Sequence, residues 1–436
     1  MSSETPTDSP VCAVILAGGQ GKRLGLSGPK VLAPLCGAPA LEFVIEAALA
    51  LDPARCLVVV CHQRAKVETY LGQRFPACET LDQVEAGGTG HAVLQCAPRL
   101  AGFDGDILVL FGDSPLVRAQ TLRALVDLHR SRRAACTMLT AELPDPTTYG
   151  RVLRDAGGRF QRIVEESDAS PAEREIREVH CGLAVFRGGP LFEALPRLKP
   201  ENRQGELYLT DVYEEILKAG GRVETAPLLE PQEALGFNTR EQLLDIQGRL
   251  RARLVADHLR AGVQFEDPAS AFIEKNVTIG EGTIIRPFSV IRSGVVIGRG
   301  CDVGPFCQIR AGTVLEDGAE VGNYVEVKNS RLHRGVKAKH LAYLGDAEIG
   351  AKTNIGAGTI IANYDGKHKH HTKIGAAAFV GSGTILVAPV EVGDRAIVGA
   401  GSVVPPRHDV AADTVVVGVP ARLLRRRPPP DPQRPS

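Results

Sequence analysis

From Ile273 onward every sixth residue is aliphatic: Ile273, Ile279, Ile285, Ile291, Ile297, Val303, Ile309, Leu315, Val321 and Val327. The phase slips, resumes at Ile349, Ile355 and Ile361, and breaks again at NYDGKHKHHT. It returns at Ile374, Val380, Leu386, Val392, Val398 and Val404. Glycine follows many of these positions, as in IGEG, IGAG and VGAG. The repeat predicts a parallel β-helix in which each flat face takes one short strand per hexapeptide and the aliphatic points into the prism. A solenoid extrudes its insertions as surface loops, and sites favour such loops, so the two interruptions are the places to look for chemistry.

The region from 11 to 238 has another texture. Apolar runs (VCAVILA, RCLVVVC, GDILVLFGD) alternate with helical patterns such as TLRALVDLHRSRR, which predicts an α/β layer fold, Rossmann-like, with a mostly parallel sheet. Between the two textures, Leu243, Ile246, Leu250, Leu254 and Leu259 recur at helical spacing. Thr239 with Gln242 supplies a capping-box signature at the start of this helix. The division expected is therefore 1–238, a connecting helix over 239–262, a β-helix over 263–424, and a tail from 425 to 436. The proline-rich, basic composition of that tail predicts disorder.

Composition narrows the class. Lys plus Arg and Asp plus Glu both count 51 in 436 residues, so no global field recruits nucleic acid or a membrane surface. No apolar run reaches the roughly 18 residues of a membrane-crossing helix. MSSETPTDSP has neither the charged nor the apolar part of a signal peptide, and a cytoplasmic location is expected. The ten cysteines form no metal-binding pattern and are expected as free thiols in a reducing compartment.

The stretch LAGGQGKRLGLSGPK (16–30) leaves the first apolar run. Glycines at 18, 19 and 21 let backbone N–H groups approach phosphate oxygens, and Arg23 and Lys30 add positive charge. The spacing fits neither a Walker A loop nor a dinucleotide fingerprint, so taken alone it is a phosphate cradle or a structural turn.

In its setting the stretch looks like the signature of sugar-1-phosphate nucleotidyltransferases. DQVEAGGTGHAV, LFGDSPL, TYGR, IVEE, QGELYLTD and GFNTR follow in the order of one family, and VGPFCQIRAG, VGNYVEVKNSRL, KHLAYLGDAEIGAKTNIGAGTIIANYDG and FVGSGTILVAPV complete the likeness. The chain thus resembles the bifunctional N-acetylglucosamine-1-phosphate uridyltransferase / glucosamine-1-phosphate N-acetyltransferase family over essentially its whole length. The resemblance implies UTP and acetyl-CoA as co-substrates, Mg²⁺ as the metal, small-molecule partners only, and a homotrimer built through the β-helix.

For the nucleotidyl half it implies that Leu16, Ala17, Gly18 and Gly19 hold the nucleotide, and that Arg23 and Lys30 act on the reacting phosphates. Gln83, Gly88 and Thr89 would read uracil. Asp113 and Asn238 would hold Mg²⁺ through oxygen, as a hard cation prefers, with a turn or cap carboxylate as the competing role for Asp113. Gly150, Glu165 and His180 would line the sugar pocket. The family usually has Asn-Thr where this chain has His180-Cys181, and Thr where it has Lys22. An imidazole offers different hydrogen-bond geometry from an amide, which opens the alternative of another sugar or nucleotide.

For the acetyl half the resemblance implies His340 as general base, a role that suits a group titrating near neutrality. Arg310 and Lys328 would clamp the sugar phosphate, and Tyr343 and Asn354 would touch the sugar. Ala357, Asn363, Tyr364, Ser382 and Ala400 would line the acetyl-CoA groove. His340 is expected in the phase slip, free of the aliphatic lattice. The HKHH run at 368–371 reads as a solvated loop. The early part of the solenoid is shorter than in relatives by a few hexapeptides, and the arginine that meets the coenzyme phosphate in relatives is missing from VVGVPARLL, leaving Arg422 or the RRR run as substitutes. A further alternative makes the β-helix an oligomerisation module alone, against which the set His340, Arg310, Lys328 and Asn363 argues.

Overall fold

The structure is a computed structural model and describes residues 9–25 and 27–426. The first eight residues and the expected tail from 427 onward lie outside the described residues; Arg425 and Arg426 end a strand, Arg422–Arg426. The chain divides into two compact units between Gly248 and Arg249, inside the helix Arg240–Arg260. That helix opens with the expected capping box: Gln242 N donates to Thr239 Oγ1 at 3.3 Å and Thr239 N donates to Gln242 Oε1 at 3.2 Å.

In the first unit, nine strands form one mixed sheet among the described residues. They are β1 (Val11–Leu16), β2 (Arg55–Val60), β3 (Glu79–Asp82), β4 (Asp106–Phe111), β5 (Cys136–Glu142), β6 (Arg151–Arg154), β7 (Phe160–Val164), β8 (Glu178–Arg187) and β9 (Val223–Pro227). The order is β9-β5-β8-β4-β1-β2-β3, with the β6–β7 hairpin attached to β8. Pairs β1·β2, β1·β4, β2·β3 and β5·β9 are parallel, as the sequence predicted. Strand β8 runs antiparallel to both β4 and β5, so the sheet is less uniformly parallel than the alternation of textures suggests.

β1 is apolar throughout because both its faces are covered: Ala13 and Ile15 join one core, Cys12 and Val14 the other. Its two neighbours, β2 and β4, lie on opposite sides, so the strand order turns around at β1. A crevice opens outside the carboxyl ends at such a point, and the glycine stretch and Asp113 both start there.

The second unit is a three-faced solenoid whose faces carry ten, eight and seven strands among the described residues. They begin at Gln264–Phe265, Phe272–Ile273 and Thr278–Ile279 respectively. Along the solenoid, strands pair in parallel with the one three steps on, as Ile285 with Val303 and Val303 with Val321, until the first face closes with Arg422–Arg426 antiparallel to Thr414–Val417. The six-residue aliphatics all lie in one buried core that fills the prism. Two residues before most of them sits a smaller buried residue, such as Ser289, Cys301, Cys307, Thr359 or Ala378, which accounts for two of the cysteines.

The phase slip resolves into two separate steps. Five rather than six residues separate Val327 from Leu332, and Leu344 from Ile349, while Ala338 holds the inward place between them. Both short steps fall at the corner between the second and third faces. His340 therefore stands in a regular six-residue step, contrary to the expectation that it occupies the slip.

Candidate functional site

The crevice at the end of β1 contains a cavity of about 490 Å³ lined by Leu16, Gly18, Gly19, Lys30, Gln83, Gly88, Thr89 and Asp113, together with Glu206. Backbone forms much of its wall. A Cβ on Gly18 would lie 3.1 Å from Cys61 Cβ and 3.3 Å from Gln83 Oε1, so this position admits only glycine without displacement. Gly88 has φ +97°, and its missing Cβ would lie 2.5 Å from the Leu207 carbonyl. Gln83 is buried, donating from Nε2 to the Gly88 carbonyl at 2.9 Å, and Thr89 Oγ1 accepts from Leu209 N at 2.9 Å. Ala17 is buried behind the wall, its N–H donating to Val59 O at 2.8 Å.

Lys30 sits at the cavity floor on the short turn Lys30–Leu32 and is 6% exposed. Its ammonium donates to Asp113 Oδ2 and, at 2.7 Å, to Asn238 Oδ1, and lies 5.5 Å from the centre of the Phe237 ring. Lys30, expected at the reacting phosphate, thus meets the two expected metal ligands, Asp113 and Asn238, at one point. The oxygens of Asp113 and Asn238 are hard donors suited to a divalent cation. No group of three or more His, Cys, Asp or Glu side chains could hold a metal among the described residues. A cation on this pair would draw its other ligands from phosphate and water.

Not every expected residue lines the cavity. Arg23 is exposed on the turn Lys22–Leu24, and the side chain of Lys22 lies outside the described residues. Gly150 and Glu165 form a neighbouring group: Glu165 Oε1 accepts from Thr210 Oγ1 at 2.9 Å, and burial pushes the Glu165 carboxyl above its ordinary range despite that bond. His180 lies beside Gly150, its N–H donating to the Gly150 carbonyl at 2.9 Å, with its ring buried. Its Nε2 is 2.8 Å from the Tyr213 hydroxyl and its Nδ1 accepts from Gly182 N at 3.3 Å, so both ring nitrogens are used inside the core. Burial lowers its pKa to about 4, and Cys181 beside it is only 3% exposed. His180 pairs with Thr140 of β5, and the register between the two strands shifts between His180 and Ala184.

In the solenoid the expected residues gather at two different corners. At the corner between the first and second faces, His340 ends the strand Lys337–His340, exposed, and pairs with Asn323. The turns of this corner stack: Leu341 N donates to Asn323 O, Gly358 N to Leu341 O, Gly383 N to Ala357 O and Gly401 N to Ser382 O, at 2.7–2.8 Å. His340, Ala357, Ser382 and Ala400 therefore form one column. The residue next in each turn changes from Leu341 to Gly358, Gly383 and Gly401, leaving bare backbone beyond the histidine. Towards the other end of the column a smaller cavity of about 250 Å³ touches His340, lined also by Asn323, Gly322 and Lys339.

Arg310 and Lys328 lie at the corner between the second and third faces. Arg310 Nη1 donates to Glu326 Oε1 at 2.7 Å. The Tyr343 hydroxyl reaches over Gly345 towards Asn363, since a Cβ on Gly345 would lie 2.5 Å from that oxygen and 2.9 Å from Asn363 Nδ2. Asn363 donates to Asp346 Oδ2, and Asn329 Nδ2 donates to Asp346 Oδ1 at 2.7 Å. Burial alone would raise the Asp346 carboxyl; these bonds, with the charges of Lys328 and Lys369, hold it below its ordinary range.

Lys369 was missed in the sequence, where the HKHH run reads as solvent-facing. The adjacent Lys328 ammonium lowers its pKa, so two cations crowd one corner. The loop is an ordered hairpin, with a Tyr364–Lys369 bridge and His370 Nε2 2.7 Å from Asp365 Oδ2. Asn354 sits apart on the first face, and Tyr364 is exposed in the hairpin, its hydroxyl donating to Gly366 O at 2.6 Å.

Comparison with known proteins agrees with both halves. Residues 13–180 match the MobA-like NTP transferase domain family, and residues 276–311 and 371–406 match the bacterial transferase hexapeptide repeat; that match makes the parallel β-helix predicted by the periodicity the left-handed kind. Proteins described as "Bifunctional protein GlmU" are similar along nearly the whole chain. One from Thermus thermophilus is 47% identical over 415 residues, 87% of this chain and 90% of the relative. That from Pelotomaculum thermopropionicum is 41% identical over 414 residues, with the same coverage of 87% and 90%. That from Streptomyces avermitilis is 39% identical over 458 residues, 96% of this chain and 95% of the relative. Such identity, sustained across a nucleotide-binding crevice and a hexapeptide solenoid joined in one polypeptide, makes the chain a member of the bifunctional GlmU family.

Proposed function

We propose that the chain makes UDP-N-acetylglucosamine in two steps. It first transfers an acetyl group from acetyl-CoA to glucosamine-1-phosphate, then uridylyl from UTP to the N-acetylglucosamine-1-phosphate formed, with release of pyrophosphate. The observation that carries the reading is the meeting of Lys30, Asp113 and Asn238 at the floor of the glycine-walled cavity.

In the uridylyl step a phosphate oxygen of the sugar phosphate attacks the α-phosphorus of UTP and pyrophosphate leaves. Two anionic reactants must be brought together, so positioning and neutralisation dominate catalysis. The glycine wall admits the triphosphate, Gln83 and Thr89 face the base, and the Lys30 ammonium offsets charge at the reacting phosphate. Asp113 and Asn238 would hold Mg²⁺, which supplies further neutralisation of the phosphates when bound. The reading with another sugar loses its motive, because His180 and Cys181 face the core.

In the acetyl step the sugar amine attacks the thioester carbonyl, His340 takes the amine proton, and the C–S bond breaks with that proton passing to the departing thiolate, so that the coenzyme leaves as its thiol. The coenzyme would follow the bare corner along Ala357, Ser382 and Ala400. The sugar phosphate would meet Arg310, Lys328 and Lys369 with Tyr343 and Asn363, a cationic set fit for a dianion. These two groups occupy different corners of one prism, with the second face between them. A homotrimer joining the His340 corner of one copy to the cationic corner of another completes the site, and this favours catalysis over a scaffold role.

No helix among the described residues is long and apolar enough to cross a membrane. With no disulfide among the described cysteines, a cytoplasmic location is the fitting one. Assay of the purified chain with UTP, acetyl-CoA and a panel of sugar phosphates tests the reading. Both reactions should appear, with N-acetylglucosamine-1-phosphate the best uridylyl acceptor.

A further inference from the structure

The point where Lys30 meets Asn238 joins two segments that are far apart in sequence, and the first turn of the helix Arg240–Arg260 touches both. On one side, Gln242 Oε1 accepts from Asn238 N at 2.6 Å and from Thr239 N at 3.2 Å, fixing the backbone that presents the Asn238 carboxamide. On the other, Arg240 Nε donates to Leu24 O at 2.8 Å and Nη2 to Gly25 O at 3.1 Å. These carbonyls end the turn Lys22–Leu24, which is bracketed by left-handed Gly21 (φ +61°) and Gly25 (φ +62°). A cation at carbonyls that close a helical turn satisfies groups with no partner inside it.

The contacts are close on both sides. A Cβ on Gly25 would lie 3.0 Å from Arg240 Nη2, and one on Gly21 would lie 2.8 Å from Lys30 Cβ. The guanidinium thus holds the far end of the glycine stretch while that stretch packs on Lys30.

We propose that Arg240 and Gln242 are positioning residues of the uridylyl site: one rigid helical turn closes the phosphate loop with Arg240 and sets Asn238 with Gln242. Neither side chain lines the cavity, so each acts through the groups it holds. The inference rests on the uridylyl reading of the cavity. Small displacements of reacting groups cost large factors in rate, which makes such a turn consequential for activity.

The test uses the full chain and both activities. Arg240→Met keeps an apolar stem and removes the donors. Gln242→Leu removes the acceptor, and Gln242→Glu retains it. Arg240→Met and Gln242→Leu should lower kcat/KM for UTP about 10- to 100-fold and leave acetyl transfer at the wild-type rate, with Gln242→Glu close to wild type. In Arg240→Ala, added guanidinium ion should restore uridylyl transfer several-fold, and sodium chloride at equal ionic strength should not. Wild-type kcat/KM in Arg240→Met and Gln242→Leu would overturn the proposal. So would a loss in Arg240→Ala that guanidinium leaves untouched while the unfolding temperature drops, the mark of a merely structural contact. A wild-type chain without uridylyl transfer would overturn the underlying reading and the clamp with it, whereas an active wild type with indifferent variants overturns the clamp alone.

Discussion

The Lys30 ammonium donates to the Asn238 carboxamide oxygen at 2.7 Å, across 208 residues of sequence. Asp113, at the exit of β4, takes the same ammonium, so the ends of three separate segments share one charged contact. Asp113→Asn keeps the shape and removes the charge. Uridylyl transfer and its Mg²⁺ dependence should fall at least about a hundredfold, as when a preorganised charge is lost, with acetyl transfer unchanged. Initial rates against Mg²⁺ concentration check this, and an unaltered Mg²⁺ curve would deny Asp113 the metal.

Gly88→Ala tests the cavity wall. At φ +97°, with the Leu207 carbonyl 2.5 Å from the new methyl, the substitution must displace backbone. It should cost about 1–3 kcal/mol of stability and raise the KM for UTP. Thermal unfolding and a UTP titration measure both, and an unchanged KM would separate Gly88 from nucleotide binding.

His180 carries a pH dependence. Its folded pKa, about 4, lies below the ordinary 6.5 because burial disfavours the charged ring. The unfolded chain binds the extra proton first, so stability is complete above pH 6.5 and declines as pH falls towards 4, by on the order of 3 kcal/mol. His180→Asn should flatten that decline between pH 6.5 and 4 in denaturant unfolding. It should also leave the preference among sugar phosphates unchanged. A shifted preference would return His180 to the sugar pocket.

What the sequence made legible follows from how each signal is encoded. The column from Ile273 to Val327 could be read because large aliphatics recur at one spacing, and each is buried. The two five-residue steps could not, because Ala338, the inward residue between them, is too small to stand out. Lys30, Asp113 and Asn238 were legible as motif residues, yet their mutual contact depends on the strand order around β1. The bond between His180 and Tyr213, 33 residues on, has no local signature, so the use of both its ring nitrogens inside the core could not be read. Lys369 was hidden by its polar neighbours, and its closeness to Lys328 arises only when the hairpin folds back.

The boundary inside the helix Arg240–Arg260 bears on separability. A fragment ending at Ala261 retains the Thr239–Gln242 cap and the clamp on Leu24 and Gly25. It should release pyrophosphate from UTP at the rate of the full chain and show no acetyl transfer. Acetyl transfer by this fragment would rule the division out.

The central claim is that one polypeptide carries the residues of two independent activities, and a paired assay tests it most directly. Both reactions are followed in the wild type, in Asp113→Asn and in His340→Ala, with folding and oligomeric state verified. His340→Ala should lower the kcat of acetyl transfer about a hundred- to ten-thousand-fold, the range of a positioned general base, and spare uridylyl transfer; Asp113→Asn should do the reverse. Wild-type acetyl transfer in a correctly assembled His340→Ala chain, or a loss of both reactions from either substitution, would contradict the account.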